Sequence, residues 1–103
     1  MKILLCTVNL TTQAELEGTW STAGAEILPR DSDSAPKLIV VDLTANRVLA
    51  QIESLQAKYP DIEILAFGPH VDGDAFKQAR VAGTTSQVAR SKVVERVLRQ
   101  LQN

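Results

Sequence analysis

The chain is predicted to fold as a doubly wound α/β domain, a five-stranded parallel sheet with helices on both faces. Three observations predict it. Short, β-branched apolar runs alternate along the chain with longer segments of helical apolar spacing. The run Leu38-Ile-Val-Val-Asp-Leu43 shows no in–out alternation, as expected of a strand covered on both faces. At 103 residues there is room for one core, so residues 1–103 form one domain and the strands share one sheet.

Each element has its own signal. Ile3–Cys6 is a short apolar run fit for a buried strand. Thr12-Gln13-Ala14-Glu15 has capping-box spacing, Leu16, Trp20 and Ala23 follow at helical intervals, and Gly24 stops the helix. Ala25–Leu28 is a second strand. The segment Arg30–Pro36 is too polar and too short for a packed helix, so the helix between strands two and three is expected to be lost. Leu38–Leu43 is strand three. In Asn46–Tyr59, Val48, Leu49, Ile52, Leu55 and Tyr59 share one helical stripe, ended by Pro60. Ile62–Phe67 is strand four. Asp72 caps a helix with Phe76, Ala79 and Ala82 inward, ended by Gly83. Thr85–Ala89 is a fifth strand closed by Arg90, and Ser91 caps a last helix with Val94, Val97, Leu98 and Leu101 inward. Right-handed crossovers and this size give the flavodoxin-like strand order 2-1-3-4-5.

Composition excludes several function classes. The hydrophobic share is 45% and the net charge −1, which speaks against disorder and against a general attraction to nucleic acid or membrane. Charge is uneven, however. Residues 1–71 carry nine acids and five bases, residues 72–103 three acids and six bases. A single cysteine leaves no internal disulfide and no cysteine-based zinc site, and no apolar run reaches membrane-spanning length. With no signal-peptide pattern at the start, a cytoplasmic protein is expected.

In the order of its elements, in Leu38–Leu43, in Ile64-Leu-Ala-Phe-Gly-Pro69 and in Ala79–Gly83 followed by Thr85–Ser91, the chain resembles the receiver domain of bacterial response regulators, of the chemotaxis-regulator kind. The resemblance covers nearly the whole chain. It implies a phosphoacceptor aspartate at Asp42, two acids after strand one holding Mg²⁺, a switch hydroxyl after strand four and a lysine at the end of strand five. Here the acids are replaced by Cys6-Thr7-Val8, the switch position falls on Phe67 or Gly68, and the lysine position is Arg90, followed by Ser91.

The missing acids weigh most. Phosphoryl transfer to a carboxylate brings anion onto anion, and catalysis consists of positioning and neutralising that charge. With Asp42 as the sole rim acid, the site is a poor magnesium binder. A degenerate pseudo-receiver with no metal and no cofactor is therefore expected. Two structural roles are open to Asp42: capping the helix after strand three, or a bidentate bridge to Arg90 across strands three and five.

Other reactive residues read more plainly. Cys6 follows a strand as the nucleophile does in phosphocysteine carriers and small tyrosine phosphatases. The following Thr7-Val8-Asn9-Leu10-Thr11-Thr12 has neither the glycines nor the arginine of a phosphate loop, so Cys6 is expected to be a buried core residue. His70 has no partner histidine or cysteine, and Asp72-Gly73-Asp74 is ordinary capping chemistry. Trp20 and Phe76 belong to the core.

Lys77, Arg80, Lys92, Arg96 and Arg99 lie opposite the apolar stripes of the last two helices. In receivers this surface docks partners or a second copy, so the resemblance implies a protein partner (a kinase, a regulator or the chain itself) and a homodimer through those helices. The expected function is a stand-alone signalling and interaction module rather than an enzyme. The alternative is a small enzyme or ligand-binding domain with its site at the rim of strands one and three, at Cys6 and Asp42.

Overall fold

The structure is a computed structural model and describes residues 1–29, 32–69 and 73–102. The elements in chain order are β1 (Lys2–Cys6), α1 (Leu10–Thr22), β2 (Glu26–Leu28), β3 (Leu38–Asp42), α2 (Val48–Lys58), β4 (Glu63–Gly68), α3 (Gly73–Ala82), β5 (Ser86–Ala89) and α4 (Arg90–Gln102). All strand pairs are parallel, in the order β2-β1-β3-β4-β5. This is the expected flavodoxin-like topology, and between β2 and β3 no helix lies among the described residues.

Alternation along the strands sorts the apolar side chains into two layers. Ile3, Leu5, Leu38, Val40, Leu65 and Phe67 face α1 and α4, where they meet Leu16, Trp20, Val93 and Val97. Leu4, Cys6, Ile39, Val41, Ile64 and Ala66 face α2 and α3, packing on Ile52 and Ala79. Every residue of β3 is buried, as its unbroken apolar run requires. Fully burying Trp20 and Phe67 contributes roughly 1.5–3 kcal/mol each. Where the lost helix would lie, Leu28 and Leu4 remain 4% and 7% exposed, and Pro36 in the connecting segment is buried too. That segment is tied to β1 by Lys37 N donating to Lys2 O at 2.8 Å.

Several boundaries differ from expectation. Helix α1 begins at Leu10, because Asn9 Oδ1 accepts from Thr12 N at 2.9 Å and is the N-cap. Thr12 thus lies inside the first turn, 2% exposed, and caps nothing. Helix α2 begins at Val48 after Arg47, which takes a left-handed backbone (φ 56°) and offers no side-chain cap. Arg90 opens α4 instead of closing β5. Gly24 and Gly83 do end their helices, with φ of 103° and 129°. The expected cap Asp72, His70, and Arg30 and Asp31 of the connecting loop lie outside the described residues.

Candidate functional site

The C-terminal rim of the sheet is where doubly wound folds place their working residues. Asp42 ends β3 there, paired with Phe67 of β4 and one residue beyond Val41, which pairs with Cys6 of β1, and is 3% exposed. A carboxylate so buried must have donors. Thr7 Oγ1 donates to its Oδ2 at 2.8 Å, and Thr44 donates to Oδ1 twice, from N at 2.9 Å and from Oγ1 at 2.7 Å. Ala45 N closes the same turn on Asp42 O at 3.2 Å.

The network runs on into α1. Thr7 Oγ1 accepts from Asn9 N at 3.2 Å while donating to Asp42, and Asn9 Oδ1 caps the helix. One hydroxyl therefore couples the β3 carboxylate to the start of the first helix. Neither expected role of Asp42 is the one observed. It caps the β3–α2 turn, not α2, and among the described residues no ion pair joins it to Arg90. Aspartate two residues before a threonine amide is a common turn pattern, so Thr44 was legible in Asp42-Leu43-Thr44. The Thr7 bond, between residues 35 apart, had no local signal.

The donor set does not suit a divalent cation. Among the described residues no group of three or more His, Cys, Asp or Glu could hold a metal. Among the described residues, the carboxylate that ends a strand at this rim is Asp42, which already accepts from two hydroxyls and an amide. At the switch position Phe67 is fully buried, and a side chain at Gly68 would meet Leu43 at 3.4 Å. Cys6 is 2% exposed in the α2/α3-facing layer. Two rim grooves, of about 570 and 290 Å³, both touch Val8 and are lined by neither Cys6 nor Asp42.

The basic residues flank the edge strand β5 from opposite faces of the sheet. Three of the five are engaged within the chain. Arg80 donates to Gln87 Oε1 at 3.3 and 3.4 Å, Arg99 pairs with Glu95 at 2.9 Å, and Arg96 pairs with Glu63 at 3.3 Å. Glu63 also accepts from Ser86 Oγ at 3.1 Å and Gln100 Nε2 at 3.0 Å, which ties α4 to β4 and β5. Arg99 holds the Glu95 carboxyl below its usual range. Lys77 and Lys92 are exposed. No described helix is long and apolar enough to cross a membrane.

No family model matches the chain, and no curated protein matches it. Solved structures do. A response regulator from Thermotoga maritima superposes with a TM-score of 0.77 at 15% identity over 99% of this chain and 98% of its own. NtrX from Brucella abortus matches with a TM-score of 0.79 at 19% identity over 98% of this chain, which spans only 27% of that protein. An atypical orphan response regulator, described as having a phosphorylation-independent regulatory mechanism, matches with a TM-score of 0.73 at 16% identity over 99% of this chain and 92% of its own. The chain has the fold of a response-regulator receiver domain.

Proposed function

We propose that this domain is a pseudo-receiver: a signalling module that works by docking to another protein and does not use magnesium-dependent aspartyl phosphorylation. The observation that carries the reading is the state of Asp42. Its two oxygens accept three hydrogen bonds from Thr7 and Thr44, and the β1 end supplies a hydroxyl where a metal would need a carboxylate. Bringing a dianionic phosphoryl group to that carboxylate requires charge neutralisation that Thr7 cannot provide. On this reading the hydrogen-bonded carboxylate is a fixed part of the rim, as suits a constitutive docking surface. The exposed lysines Lys77 and Lys92 beside the β5 edge are the partner-facing residues of this reading, with a kinase, a regulator or a second copy as the partner.

The test is incubation with a small phosphodonor and Mg²⁺, followed by intact mass. The unmodified mass is expected throughout, and stoichiometric phosphorylation mapped to Asp42 refutes the reading.

A further inference from the structure

We propose that the groove between α1 and the start of α4 is a binding site for a small zwitterion of the α-amino-acid class, separate from the Asp42 rim. The groove, of about 430 Å³, is lined by Glu15, Pro69, Arg90, Ser91 and Val94. A neighbouring cavity of about 30 Å³ shares Glu15, Arg90 and Val94 and adds Thr12, Leu16, Phe67 and Val93. Thr12 Oγ1 is buried there with no hydrogen-bond partner, although a first-turn threonine commonly satisfies its hydroxyl locally. A buried hydroxyl left unpaired costs about 1–3 kcal/mol, which a ligand oxygen reaching this cavity would recover.

The rest of the lining says what that ligand carries. Arg90 is the first residue of the 13-residue helix α4, whose first turn holds no acid, so guanidinium, helix amides and the Thr12 hydroxyl all favour a carboxylate. Glu15, exposed on α1 and lining the same groove, would repel a plain anion but pairs with an ammonium group. Pro69 and Val94 offer apolar surface to a side chain. Opposite charges lining one groove together with apolar side chains fit carboxylate, ammonium and alkyl group on a single small molecule. Asp42 lines neither space, so the inference does not depend on how that residue behaves.

The experiment is amide NMR titration of the intact chain with L-leucine, isovalerate, isopentylamine and inorganic phosphate. Leucine is expected to give saturable shifts confined to α1 and the start of α4. Isovalerate and isopentylamine, each lacking one charge, should bind at least about tenfold more weakly. Arg90→Gln and Glu15→Gln, both at exposed positions, should each weaken leucine by about tenfold with the remaining spectrum unchanged. Absence of leucine shifts overturns the proposal, as does phosphate or isovalerate binding as tightly as leucine, or leucine binding untouched by both variants.

Discussion

Thr7 Oγ1 lies 2.8 Å from Asp42 Oδ2, so a neutral hydroxyl, and not a second carboxylate, stands directly beside the carboxylate that ends β3. The same oxygen accepts from Asn9 N, which passes the constraint to the N-cap of α1. The carboxylate is thereby built into the rim and is not presented from it.

Replacing Thr7 tests this directly. Thr7→Val removes a hydrogen bond to a buried charged group and should cost about 1.5–3 kcal/mol in denaturant unfolding. Thr7→Asp sets like charge against like charge and should cost more. Its thermal midpoint should then rise with added Mg²⁺, because two carboxylates meet the usual demand of that ion, while the unmodified protein should not respond. A Thr7→Asp protein indifferent to magnesium would show that the missing acid is not the limiting defect.

Arg90 offers the reverse expectation. Had it bridged the buried Asp42, its loss would leave a charge unpaired at a cost of about 3–5 kcal/mol. Since Asp42 draws its donors from Thr7 and Thr44, Arg90→Ala should change stability by no more than about 0.5 kcal/mol. Urea unfolding at constant m-value decides between the two.

Glu63 of β4 anchors α4 through Arg96 and Gln100 and holds β5 through Ser86. Glu63→Ala takes the acceptor from Gln100 and leaves Ser86 and Arg96 only their 3.5 Å contact with each other, so about 1–2 kcal/mol of stability should be lost. Arg99→Ala breaks only an exposed pair to Glu95, worth at most about 0.5 kcal/mol. Equal losses for the two variants would contradict this ranking. The same geometry makes Arg96 a poor reporter of partner binding; Lys92→Glu is the cleaner variant for sedimentation or pull-down.

Two glycines should respond to alanine with opposite sign. Gly83 has φ of 129°, and an added Cβ would sit 2.8 Å from Gln56 Cγ, so Gly83→Ala should cost at least about 1 kcal/mol. Gly18 lies within α1 with nothing near its would-be Cβ, and Gly18→Ala should stabilise by about 0.5–1 kcal/mol. Thermal midpoints of the two proteins should move in opposite directions.

The strand order, the missing crossover helix and most of both apolar layers were readable from the chain, because burial on two faces writes itself into unbroken runs such as Leu38–Val41, and packing against a sheet writes a 3.6-residue stripe such as Val48–Tyr59. The helices over the α1/α4 layer were read less well: Ala23, expected inward, is exposed, and Val93, outside the expected α4 stripe, is fully buried beside Val97. The identity of the rim residues was also readable, since Asp42 follows directly from where its strand ends. What those residues do was not. Capping boxes and turn patterns are short, and two of them compete at the start of α1: Asn9 caps it, which turns Thr12 inward and leaves its hydroxyl without a partner. The partners of Asp42 depend on β1 and β3 lying side by side in one register, and those of Arg96 on α4 lying across β4 and β5. Hydrogen bonds between residues 35 and 33 positions apart carry no periodic trace, because their geometry exists only once the sheet has closed around them.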